Sequence, residues 1–141
     1  MLKLLLGSHG HFASGMQTAI EILSGKQHNL TIIDAYVDNR NIDEELKNYF
    51  DSLSDEDQVV MLSDLYGGSV NQKMYMYLER PNTYLIAGVN LALVLELCMA
   101  EEITLEYLQQ LVEQSRTMQR VVSFDQESLE NTDLDTDSDF F

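Results

Sequence analysis

The chain has 141 residues, 45% of them hydrophobic, which suffices for one ordinary domain with a core that needs neither disulfides nor metal to rescue it. It carries 24 acidic against 8 basic residues, a formal net charge of −16, and so much negative charge repels nucleic-acid phosphates and anionic lipid surfaces. The single cysteine, Cys98, excludes a disulfide framework within the chain and, inside the apolar stretch LALVLELCMA, reads as a small buried hydrophobe.

The N-terminal MLKLLLG is too short for the core of a signal peptide, and Leu2–Leu6 within it reads as a first strand. The loop SHGHFASG (8–15) leads into helical spacing over Gly15–Leu23, and a second strand is predicted over Leu30–Ala35 (LTIIDA). A helix over Ile42–Leu53 and a third strand over Gln58–Ser63 (QVVMLS) follow. The loop DLYGGSVN (64–71) then runs into a helix over Ser69–Leu78. A fourth strand, Thr83–Ala87 (TYLIA), precedes helices over Leu91–Ala100 and Leu105–Thr117. The apolar segment near residue 91 is interrupted by Glu96 and falls short of a membrane span, so a soluble, cytoplasmic protein is expected.

Four short runs rich in Val, Ile, Leu and Tyr, alternating with helical segments, predict an α/β fold with a four-stranded parallel sheet covered by helices on both faces. A fifth run, Met118–Phe124 (MQRVVSF), reads as an edge strand, open to pairing or exchange with a second copy. The domain is therefore expected over 1–124. Beyond it, 125–141 (DQESLENTDLDTDSDFF) carries seven carboxylates with no Lys or Arg and reads as an acidic, solvated tail.

Parallel sheets place ligands at the carboxyl ends of their strands, where the strand order reverses. In a 2-1-3-4 order that point lies between strands one and three, so His9 and Asp64 come within reach of each other. A carboxylate bonded to one imidazole nitrogen fixes the tautomer and leaves the other nitrogen's lone pair free as a nucleophile. Gly67, Gly68 and Ser69, just ahead of a helix, offer unhindered backbone N–H groups and a hydroxyl to a tetrahedral anion such as a phosphoryl group. No G-x-G-x-x-G or G-x-x-x-x-G-K-[ST] signature is present, which disfavours dinucleotide or ATP use, and no Lys or Arg stands in either loop. Three other readings stay open on residues alone. Asp64 could simply cap a strand-to-helix turn; His11, spaced His-x-His with His9, could join Asp64 around a divalent metal; and the switch point could serve a flavodoxin-like binding module.

Three segments together carry a family resemblance. SHGHFASG resembles the S-H-G-x-x-A-x-G loop of the IIA domains of the mannose family of the sugar phosphotransferase system. DLYGGSVN is similar to its D-x-x-G-G-S-P-x-N segment, and AGVNLALVLE (87–96) to its A-G-V-N-L-P-x-x-L-E segment. The order and spacing match over residues 1 to about 124. The resemblance implies a homodimeric phosphocarrier, with an antiparallel fifth strand exchanged between subunits and no cofactor. It implies that His9 takes a phosphoryl group from the phosphocarrier HPr and passes it to a IIB component, which serves a membrane IIC/IID pair. It also implies that Asp64 orients the histidine and Ser69 supplies a hydroxyl beside the phosphate. Val70 and Ala92 stand where the family favours proline; both open helices, where proline is dispensable. A relative serving dihydroxyacetone kinase usually has serine after the histidine, and Gly10 favours the sugar-transport branch.

Overall fold

The structure, a computed structural model, describes residues 1–124. Its elements run β1 (Leu2–His9), α1 (Phe12–Ser24), β2 (Leu30–Ala35), α2 (Ile42–Asp51), β3 (Gln58–Ser63), α3 (Ser69–Tyr75), a 3-10 turn (Met76–Glu79), β4 (Thr83–Ala87), α4 (Leu91–Met99) and α5 (Leu105–Arg116). The four strands form one parallel sheet in the order β2-β1-β3-β4. Because every crossover passes through a helix, both sheet faces are covered, as the apolar runs predicted.

Side-chain alternation along the strands splits the core in two. Leu4 and Leu6 of β1 with Val60 and Leu62 of β3 pack against α1, α4 and α5 through Met16, Ile20, Val94, Leu97 and Leu108. Leu5, Val59 and Met61 face the other way, onto Ile42 and Leu46 of α2 and Val70 and Met74 of α3. Gly7 falls on this second face, and the absence of a side chain there lets α3 sit close. A Cβ at position 7 would lie 2.6 Å from Met74 Cε and 3.2 Å from Val70 Cγ1.

Local chemistry explains where several helices begin. Asn41 accepts from the main-chain N–H of Asp43 and Glu44, Asn90 from Leu93 and Thr104 from Tyr107, each occupying donors that a first turn leaves orphaned. Three boundaries differ by three residues from those predicted, and the other helix ends by one or two. β1 continues to His9 because His9 still pairs with Ala35 of β2. α1 starts at Phe12, three residues before Gly15, since Ser8 Oγ accepts from the N–H of Ala13 and Asp34 Oδ1 from that of Ser14. The helix expected to reach Leu78 ends at Tyr75 and tightens into the 3-10 turn before Arg80, which the following Pro81 holds extended.

The fifth strand is not formed in the single chain. Residues 118–124 form no strand, and Val121, Val122 and Phe124 are 94%, 83% and 100% exposed. Among the described residues β4, like β2, remains an edge of the sheet. The acidic tail predicted over 125–141 lies outside the described residues. Among the described residues no helix is long and apolar enough to cross a membrane.

Candidate functional site

The register of the central strands builds the site. β1 pairs with β3 as far as Gly7 opposite Ser63, then overruns it by two residues, so His9 stands beside Asp64, the first residue after β3. His9 has the parity of Leu5 and Gly7 and therefore emerges on the α3 side of the sheet. Asp64 grips it twice: Oδ2 accepts the His9 main-chain N–H at 3.0 Å, and the ring Nδ1 lies 3.0 Å from Oδ2 and 3.3 Å from Oδ1. The carboxylate side chain is 15% exposed and the imidazole 42%, which leaves the ring within reach of solvent.

Hydrogen-bond accounting then assigns the protons. An ionised carboxylate only accepts, so Nδ1 of the neutral imidazole carries the hydrogen and Nε2 keeps its lone pair. Ser69 Oγ, 3.2 Å from Nε2, donates to that lone pair. A hydroxyl has one proton, so the Tyr36 hydroxyl, 2.7 Å from Ser69 Oγ, is the donor in the next link. The chain of bonds runs from Tyr36 through Ser69 and His9 to Asp64.

Position 68 leaves little room for a side chain. A Cβ there would come within 3.2 Å of His9 Cε1, pressing on the ring that Asp64 and Ser69 hold. Gly67, with φ +77, forms the turn before it, and its carbonyl accepts from Gln72 Nε2 at 2.8 Å. Lys73, one helical turn past Ser69, is bound by both carboxylate oxygens of Asp43 at 3.0 Å, which turns its charge toward α2. The AGVN segment is tied to the base of the site, since the Ser63 carbonyl accepts from the N–H groups of Gly88 and Val89.

The structure thus brings His9, Asp64, Gly68 and Ser69 together and puts Gly67 in the adjoining turn. His11 goes elsewhere. Its Nδ1 lies 3.0 Å from Oδ2 of Asp34, at the end of β2, so it does not join His9 and Asp64. Among the described residues no group of three His, Cys, Asp or Glu side chains is placed to hold a metal ion. Burial pushes the Asp34 carboxyl upward, but hydrogen bonds from Ser14 and His11 outweigh it and hold the group below the usual carboxylate range. Cys98 is inert by the same logic: burial raises its thiol to about 11, far from the thiolate a nucleophile needs.

Sequence reasoning missed Asp34 and Tyr36. For Asp34 a signal existed, a carboxylate closing the apolar strand LTIIDA next to β1. For Tyr36 there was none, because its placement depends on a backbone φ of +70, a conformation advertised in sequence by Gly or Asn.

Comparisons with known proteins place the chain in a family. The EIIA-man family, described as PTS system fructose IIA component, matches residues 3–115. The PTS system mannose-specific EIIAB component of Escherichia coli K12 is 30% identical over 105 residues, covering 72% of this chain but 32% of that protein. The chain therefore spans about a third of the length of the curated relatives it matches. Among solved structures, the mannose/sorbose-specific IIA subunit from Enterococcus faecalis superposes with a TM-score of 0.77 at 21% identity, over 88% of this chain and 96% of that one. The PTS IIA protein associated with the fucose utilization operon of Streptococcus pneumoniae gives 0.73 at 26% identity, over 85% and 92%.

Proposed function

This chain belongs to the EIIA-man family of phosphotransferase-system IIA components, and on that premise we propose that it is a phosphocarrier whose acceptor is Nε2 of His9. The donor is a phosphohistidine on HPr, and the acceptor downstream is a IIB component that couples the phosphoryl group to sugar entering through a IIC/IID pair, all on the cytoplasmic side.

The observation that carries the reading is the asymmetric environment of the His9 ring, with the acceptor-only Asp64 on Nδ1 and a hydroxyl on Nε2. The Nε2 lone pair attacks phosphorus while the donor's N–P bond breaks and its electron pair returns to the donor imidazole. The His9 proton stays on Nδ1. The ring becomes a phosphorylated imidazolium, and the Asp64 carboxylate, already bonded to that proton, stabilises the new positive charge. On the other side the Ser69 hydroxyl receives a phosphoryl oxygen, while the Gly67–Gly68 turn, whose Gly68 N–H is held by the Leu65 carbonyl at 3.1 Å, keeps the approach open because glycine carries no side chain. Transfer to IIB runs the same steps backwards. The surplus of carboxylates fits short encounters with basic partners, because complementary potential speeds association more than it tightens the complex.

The test is incubation with phosphoenolpyruvate, enzyme I and HPr, read by intact mass before and after acid treatment. The unchanged protein and His11→Ala gain one acid-labile phosphoryl group, whereas His9→Ala gains none; label that survives loss of His9 would sink the assignment.

A further inference from the structure

We propose that Tyr36 is a positioning residue for His9, its hydroxyl pinning the Ser69 hydroxyl so that the serine proton serves Nε2 and then the phosphoryl group. The inference builds on the phosphocarrier reading for its kinetic consequence, but not for its geometry.

Three observations meet at this residue. Tyr36 follows β2 directly and sits in the left-handed region with φ +70. Among the described residues the other non-glycine with positive φ is Asn82, for which that region is ordinary, whereas a bulky aromatic side chain avoids it. Burial does not account for the strain, since Tyr36 is 55% exposed. What the conformation does achieve is placement: the phenol ring stands beside His9, tilted by 48° with centroids 5.5 Å apart, and the hydroxyl reaches Ser69 Oγ at 2.7 Å. Unusual backbone conformations held at a site by polar contacts are characteristic of functional constraint.

The mechanical role follows from how little room the serine has. Ser69 Oγ stands 3.2 Å from Nε2, so an incoming phosphorus displaces that contact and the hydroxyl must swing onto a phosphoryl oxygen. A free hydroxyl samples all its staggered positions. With Tyr36 donating to one lone pair, Oγ stays fixed as the pivot, and its single proton remains committed to the nucleophile's side. Three strand ends thus converge on one imidazole: β1 carries His9 itself, β3 leads to Asp64 on its Nδ1, and β2 leads to Tyr36, which acts through Ser69 on its Nε2.

The experiment uses the full chain carrying Tyr36→Phe, which keeps the ring and removes the hydroxyl, together with Ser69→Ala and the double variant. Expected is a fall in kcat for phosphorylation by phospho-HPr of about three- to tenfold in Tyr36→Phe, the size of one lost hydrogen bond, with KM for HPr unchanged. In the Ser69→Ala background the same change has no further effect, because the path through serine is already cut. A label-free readout runs alongside: the nitrogen-15 resonance of His9 Nε2 shifts in Tyr36→Phe and shows no additional shift once Ser69 is alanine. Unchanged kinetics and resonance, or a full effect persisting without the serine hydroxyl, would overturn the inference. A resonance cycle of the expected form in a protein that takes no phosphoryl group from HPr would instead uphold the relay and remove the phosphocarrier reading.

Discussion

At the scale of single residues, the decisive contrast is between the two nitrogens of one ring. Asp64 accepts from both the main-chain N–H and Nδ1 of His9, which orients the imidazole and commits its proton at once. An amide at position 64 could still accept the main-chain N–H but could also donate to Nδ1, moving the ring proton to Nε2 and closing the nucleophile. Asp64→Asn is therefore expected to fold normally and to lose about two to four orders of magnitude in phosphorylation rate, as when a histidine-orienting carboxylate elsewhere is changed to its amide. Circular dichroism checks the first part and rapid-quench labelling the second; a rate close to that of the unchanged protein would mean that the carboxylate does not set the tautomer. His9, Asp64 and Ser69 were legible in the sequence because the strand-end rule places polar residues after β1 and β3 at one spot. Tyr36 was not, because a left-handed tyrosine is a consequence of tertiary contacts that no local residue preference encodes.

At the scale of elements, the site depends on how closely α3 approaches β1. Gly7 makes that approach: Val70 and Met74 occupy the space its side chain would fill, and both are fully buried. In Gly7→Ala the Met74 methyl group and Val70 must give way inside a packed layer, at a cost of about 1–3 kcal/mol. Urea unfolding measures this as a lower midpoint with unchanged slope, and an unaltered midpoint would show that α3 has slack. The elements themselves were read well from alternation and period, since strands buried on both faces stand out as short Val, Ile and Leu runs. Boundaries were read less well where a helix or strand end is set from a distance. The start of α1 is capped by Ser8 from β1 and by Asp34 from β2, and neither partner lies in the segment that a local reading inspects. The end of the helical run at Glu79 is different, since Pro81 disfavours helical backbone at Arg80, and it could have been read.

At the scale of the molecule, one sheet edge and one chain segment are left with complementary needs. Among the described residues β4 has a strand on one side only, while 118–124 carry Val121, Val122 and Phe124 in the open after α5. An apolar hollow along that edge is lined by Tyr84, Leu85, Ile86, Leu108 and Val112. We infer that a second copy covers it, the 118–124 segment of each protomer serving as the antiparallel fifth strand, as the family resemblance implies. Sedimentation of the full chain should give the dimer mass, with Val122→Asp shifting it to the monomer; a monomeric unchanged protein would refute the exchange. With a net charge of −16 on each chain, such a dimer presents carboxylates widely to its partners and leaves His9 to receive a group that is itself anionic. The burden of accommodating that group then falls on the local donors and the Asp64-stabilised ring.

The most direct test is where phosphorus ends up. With nitrogen-15 in the histidine ring and the chain phosphorylated through HPr, phosphorus-31 coupling should identify Nε2 of His9 as the bonded atom, with the Nδ1 proton still present and shifted by the carboxylate. Coupling to Nδ1 instead, or a phosphoryl group on another side chain with this imidazole unmodified, would contradict the account at its root.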